Sequence, residues 1–155
     1  MRLWDLKSKE QLKAFKGHTA AVQALALSSN DTHLASGSAA GQILLHSIVT
    51  NDEVGRLAAP AAVTALQYSP FRVSGLGSAH DDGTVAVWDC NTRSAIVSFA
   101  KAHNAPASTL AFSPVNRLLL ASAGLDKRAL FFDIAQKKCV RPRALCFPGT
   151  AVLTD

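Results

Sequence analysis

Apolar and polar residues alternate along this chain in short runs separated by polar turns. The clearest run is Thr84-Val85-Ala86-Val87-Trp88-Asp89, preceded by Ala79-His80-Asp81-Asp82-Gly83. Asp81-Asp82-Gly83 predicts a turn feeding a strand, with Thr84, Ala86 and Trp88 on one face and Val85 and Val87 on the other. The same ending recurs as Leu3-Trp4-Asp5, Leu45-His46-Ser47 and Phe131-Phe132-Asp133. The middle residues fall at 4, 46, 88 and 132, spacings of 42, 42 and 44. Three apolar runs close on Ser28, Ser69 and Ser113, 41 and 44 residues apart. A third landmark, Gly17-His18, is echoed by Ala102-His103 and replaced by Ala59-Pro60, and lies 28, 28 and 29 residues before the Trp-type position. Three independent landmarks sharing one period mark an internal repeat.

A period near 43 with Gly-His and Trp-Asp signatures is that of four-stranded propeller blades. On these residues the chain resembles the WD40 repeat family over roughly residues 3–140. The resemblance implies an all-β fold, a WD40 β-propeller that is incomplete, with about three whole four-stranded blades and partial flanking blades. The whole chain, 1–155, is expected to be one partial propeller with repeat ends near 5, 47, 89 and 133 and an irregular tail at 142–155.

Residues 2–5 predict a strand end and Gln11–Lys16 an outer strand. The first full blade is expected at Ala21–Leu27, His33–Gly37 and Gln42–Ser47, with a weakly marked fourth strand within Asn51–Ala58. The second takes Ala62–Tyr68, Val73–Ser78, Thr84–Asp89 and Ala95–Phe99. The third takes Ala107–Phe112, Leu118–Ala123, Arg128–Asp133 and Lys137–Arg141, and Ala144–Phe147 can open another. Ser-Ser-Asn-Asp at 28–31, Ser69-Pro70 and Ser113-Pro114 are turn chemistry.

Composition narrows the function classes. At 48% hydrophobic the chain can build a core, and no run approaches the roughly 20 apolar residues of a membrane helix. Met1 is followed at once by Arg2-Leu3-Trp4-Asp5, which leaves no room for a signal peptide and predicts an intracellular protein. Cys90, Cys139 and Cys146 are odd in number and irregularly spaced, which fits neither a disulfide framework nor a zinc motif. The net charge of +5 gathers in Lys7, Lys9, Lys13 and Lys16 and in Lys137, Lys138, Arg141 and Arg143. No aromatic residues interleave with these clusters as a base-stacking platform needs, so no specific nucleic-acid partner is expected.

His103, Ser122 and Asp126 are the residue types of a hydrolase triad. The repeat argues against that use. Ser36, Ser78 and Ser122 occupy one equivalent position, four residues before Ala40, Asp82 and Asp126, and His18 matches His103. A catalytic set is needed once, whereas this one recurs in part in each blade. Resemblance to WD40 proteins implies a structural network instead: Asp accepts from His, His contacts Ser, and Ser contacts the Trp indole. The candidates are His18, Ser36, Ser78, Asp82, Trp88, His103, Ser122 and Asp126. No blade carries all four residue types, since Ala40 and His46, Pro60, and Phe132 stand at the remaining positions. His46 is expected to pack. No catalytic, metal-binding or cofactor-binding residues are assigned, and no cofactor is expected.

Three stretches carry a narrower resemblance. They are Trp4-Asp5-Leu6-Lys7-Ser8-Lys9; Ala35 to Ser47 with its unusual His46-Ser47; and His103-Asn104-Ala105-Pro106-Ala107-Ser108 with Gly124-Leu125-Asp126-Lys127-Arg128. They are similar to the WD-repeat domain of the centrosomal gamma-tubulin-targeting family. That resemblance implies a non-enzymatic adaptor for gamma-tubulin ring complex targeting and microtubule nucleation, cytoplasmic and cytoskeletal, at the centrosome or spindle. Its partners would be other proteins, with ring-complex components met directly or through a C-terminal region not contained in these residues; no membrane partner is implied. Propellers commonly bind partners on the turns between middle strands and the inter-blade loops, here 39–42, 81–83, 126–128, 16–20 and 101–106. Lys101, Asn104, Lys127 and Arg128 are the protein-binding candidates there. The alternatives are a WD40 adaptor subunit of another complex, in ubiquitin ligation or RNA processing, and a hydrolase using His103 and Ser122.

Overall fold

A computed structural model of the chain describes residues 1–140. Fourteen strands form four antiparallel sheets among these residues. β1 (Arg2–Trp4) and β2 (Gln11–Ala14) make a two-stranded sheet. The first four-stranded blade is β3 (Val22–Leu27), β4 (His33–Ser38), β5 (Gln42–Ser47) and β6 (Glu53–Ala58). The second is β7 (Val63–Tyr68), β8 (Gly75–His80), β9 (Val85–Asp89) and β10 (Ser94–Phe99). The third is β11 (Ala107–Phe112), β12 (Leu119–Gly124), β13 (Ala129–Asp133) and β14 (Lys138–Val140). Within each blade, consecutive strands pair in order, an up-and-down meander. The fold is thus an all-β, incomplete propeller of three whole blades and two strands of a further one. Arg141, the Ala144–Phe147 strand start and the tail at 142–155 lie outside the described residues.

The inner strands β3, β7 and β11 lie side by side. Cross-blade bonds tie them: the Phe112 amide donates to Gln67 Oε1 (2.8 Å), and the Thr64 hydroxyl donates to the Ala107 carbonyl. The alternation read in β9 sorts its side chains between two cores. Ala86 and Trp88 pack with Leu66, Tyr68 and Leu76 against Ile43, Leu45 and Leu57 of the first blade. Val85 and Val87 pack with Val97 against Leu110, Phe112, Leu120 and Phe132 of the third. All six residues of β8 are buried, so the middle blade is covered on both faces. Gly37 permits the close approach of the next blade, because a Cβ there would sit 2.3 Å from Val63 Cγ1.

The recurring serines have a local cause. The Ser28, Ser69 and Ser113 hydroxyls accept from the amides of His33 (2.9 Å), Phe71 (3.3 Å) and Asn116 (3.0 Å), closing the turn after each inner strand. One expected strand is displaced. Val73–Ser78 was expected, but the strand is Gly75–His80, because the Gly75 amide donates to the Arg72 carbonyl (2.9 Å) and keeps residues 71–74 in the turn. The outer strand expected over Gln11–Lys16 ends at Ala14. The β1–β2 pair covers only part of the first blade: Phe15, Leu44 and His46 are buried there, while Leu25 and Leu27 of β3 stay about half exposed.

Leu76, fully buried between the blades, is expected to cost about 2–4 kcal/mol on truncation to Ala. Leu6→Ala, at an exposed position, is expected to stay within about 0.5 kcal/mol of wild type. Urea unfolding of the two variants measures the contrast.

Candidate functional site

The turns joining the second and third strands of each blade share one geometry. The amides of Gly41, Gly83 and Lys127 donate to the carbonyls of Ser38, His80 and Gly124, and each of the three donors has positive φ, +73°, +82° and +64°. Glycine is required at 83 for a second reason. A Cβ there would lie 2.2 Å from the His103 carbonyl oxygen, and the His103 amide donates to the Gly83 carbonyl at 3.0 Å. The second blade's turn is thereby docked onto the loop that delivers His103 to the third.

In the third blade His103, Ser122 and Asp126 come together. His103 Nδ1 lies 3.0 Å from Asp126 Oδ1, and Nε2 lies 2.7 Å from Ser122 Oγ. An ionised carboxylate only accepts, so Nδ1 carries the proton and Nε2 accepts from the Ser122 hydroxyl. Burial acts to raise the Asp126 carboxyl, but hydrogen bonds from His103 and from the Asn104 and Arg128 amides outweigh it and hold it below the ordinary carboxylate range. These are the contacts of a catalytic triad, but Ser122 is 3% and His103 1% exposed. A buried hydroxyl offers no approach to a substrate carbonyl.

The second blade is assembled differently from the sequence expectation. Ser78 and Trp88 meet, the indole N–H donating to Ser78 Oγ at 2.7 Å. The histidine position, empty in sequence because Pro60 stands there, is filled by His80, whose Nε2 lies 2.9 Å from Ser78 Oγ. Burial lowers the His80 pKa, with Asp82 pulling the other way. Asp82 does not contact the pair by hydrogen bond; its carboxylate accepts from the Thr84 amide and hydroxyl, both at 2.9 Å, and Thr84 Oγ1 accepts from the Lys101 amide at 3.3 Å. Sequence reasoning missed His80, although the signal was present: residues two apart on a strand share a face.

The first blade is the least connected. His18 Nε2 lies 2.8 Å from Ser36 Oγ, with Ala40 offering no carboxylate. Burial lowers the His18 pKa, and His46 adds to the effect. His46 packs edge-on against Phe15 at 5.3 Å and donates from Nε2 to the Lys16 carbonyl at 3.2 Å.

The four candidate contact residues are all exposed. Asn104 and Arg128 are held together through their amides on Asp126. Lys127 sits between Asp126 and Arg128, and Lys101 is tied to the neighbouring turn through Thr84. The buried networks thus fix the backbone from which one rim of charged side chains projects.

A model of the WD domain, G-beta repeat matches residues 9–47 and 94–133. The chain is 42% identical to Protein NEDD1 of Homo sapiens over 98% of its own length, and likewise to that of Mus musculus. It spans 23% of the length of these relatives. It is 34% identical to the WD repeat-containing protein slp1 of Schizosaccharomyces pombe, over 86% of this chain and 27% of that protein. A chain in a crystal structure of the mitotic checkpoint complex superposes with a TM-score of 0.82 at 29% identity, covering 90% of this chain and 43% of that one. The computationally designed Ika4 protein gives 0.73 at 30% identity, covering 84% and 77%.

Gly83→Ala is expected to cost about 2–3 kcal/mol through its left-handed backbone and the His103 carbonyl, read from urea midpoints. The depressed His18 and His80 pKa values mean the unfolded chain binds protons first. Their contribution is fully present above the ordinary histidine value of 6.5 and is lost as pH falls through the lower folded values. His80→Gln should flatten the loss of stability on acidification below pH 6.5, measured by thermal melts across the acid range.

Proposed function

Because the chain belongs to the WD40 repeat family, we propose that it is the interaction part of a non-enzymatic scaffold that helps place gamma-tubulin ring complexes for microtubule nucleation at the centrosome or spindle. The likeness to Protein NEDD1 along almost the whole chain carries this reading. The narrower resemblance in residues 35–47 and 103–128 supplies its gamma-tubulin content. The His–Ser contacts of the three blades, with Asp126 in the third and Trp88 in the second, hold the frame. Lys101, Asn104, Lys127 and Arg128 make the partner contact, as a rim of two lysines, an arginine and an amide suited to an acidic protein surface. The burial of Ser122 and His103 supports a structural use of the triad-like set over a hydrolytic one.

A second reading, an adaptor in another multiprotein complex, draws on the likeness to slp1 and to a chain found in the mitotic checkpoint complex. Affinity purification from mitotic cells, using the longest form of the protein the cell makes, separates the two. Recovery of gamma-tubulin, reduced several-fold (roughly one to two rim hot spots' worth) by combined Lys127→Glu and Arg128→Glu, is the expected result. Recovery of ubiquitin-ligase or RNA-processing subunits without gamma-tubulin would replace the first reading with the second.

A further inference from the structure

The opposite end of the blades carries a surface of different chemistry. Strand β8 runs from the turn at 69–74 to the turn at 81–84, so these two turns face opposite ends of the sheet. At the first end, between the second and third blades, lies a groove of about 230 Å³ whose lining includes Phe71, Val87, Phe112, Leu118 and Arg117. Phe71 and Leu118 of its lining are 38% and 46% exposed, and Val115, in the turn before Leu118, is 85% exposed. The Arg117 guanidinium lies over the Phe71 ring, 5.5 Å from its centroid. Arg72, Arg93 and Lys137 are exposed on the adjoining turns.

Charge separates this end from the rim described above. There, Asp81, Asp82 and Asp126 are interspersed with the lysines. Here, four cations, Arg72, Arg93, Arg117 and Lys137, stand against two carboxylates, Asp89 and Asp133. Asp89 pairs with Arg72 at 3.3 Å and caps the Asn91 amide, and Asp133 accepts from the Ala135 and Gln136 amides at 2.9 Å. Arg93 donates to the Val54 carbonyl at 2.6 Å, while Arg117, over the Phe71 ring, has no hydrogen-bond or ion-pair partner among the described residues and can offer its N–H fork to a carboxylate. The groove is smaller than the roughly 300–1,000 Å³ of small-molecule pockets and accommodates a single bulky side chain. The Phe71 face is covered by Arg117, so it offers no open platform for a nucleobase.

We propose that this end is a second interaction surface, which takes an acidic peptide segment of a partner protein: a large apolar side chain enters the groove between Phe71 and Leu118, and a neighbouring Asp or Glu pairs with Arg117. The site is independent of the Lys101–Arg128 rim and of the identity of the partner proposed for it.

Panning phage-displayed random dodecapeptides on the full chain tests this. The recovered peptides should share a large apolar residue flanked by Asp or Glu. A synthetic recovered peptide, followed by fluorescence anisotropy, should bind Arg117→Glu about tenfold more weakly and lose affinity as salt is raised. Leu118→Ser should weaken it as well, and Lys127→Glu, at the other end, should leave it within about twofold of wild type. Peptides without acidic bias, or affinity lost with Lys127→Glu and kept with Arg117→Glu, overturn the proposal. So does Arg117-dependent binding to phosphatidylserine vesicles or single-stranded RNA without recovery of acidic peptides.

Discussion

The middle blade is apolar on both faces, and both must be covered. This constraint organises the rest of the chain. A four-stranded antiparallel sheet standing alone would expose at least one apolar face, and only stacking against neighbours removes it from water. The middle blade meets the condition completely: Ala86 and Trp88 lie in one core, Val85 and Val87 in the other. The first blade meets it on the side of Ile43 and Leu45 and only in part on the side of Leu25 and Leu27. The small residues of the inner and second strands follow from the same stacking, which brings Val63 against Gly37 and Leu110 against Gly77.

Apolar packing alone would let such sheets slide and twist. The buried polar contacts supply direction. Each serine at 36, 78 and 122 receives a histidine, but the histidine comes from the inter-blade loop in the first and third blades and from the strand itself in the second. The geometry of the Ser–His contact is therefore kept while its sequence source changes. Around Asp126 the same economy fixes a loop and a turn at once, since one carboxylate receives His103, Asn104 and Arg128. A rim of exposed side chains is thereby presented from a backbone with little freedom, the preorganisation that a binding surface needs.

Much of this was legible in the residue pattern because its causes are local. Alternation gave the strands, and β5 and β11 fall where the pattern places them. Serine at the end of each inner strand marked a turn that its hydroxyl caps. What escaped depended on particular hydrogen bonds and on the meeting of turns, neither of which the alternation encodes. The second strand of the middle blade shifts by two residues because of the Arg72–Gly75 turn, and the shift brings His80 onto the strand beside Ser78. Exposed rim charges were recognisable from their loops. The groove beside Phe71 and Arg117 was not, because it forms only where the 69–74 and 113–118 turns of neighbouring blades meet.

Native-state hydrogen exchange tests the central claim, that two-sided burial of the middle blade holds the structure. Amides of Gly75–His80 and Val85–Asp89 should exchange slowest, near the global unfolding limit, while those of Arg2–Trp4 and Gln11–Ala14 exchange through local opening. Equal protection in the two-stranded sheet and the middle blade, or fastest exchange in the middle blade, would contradict it.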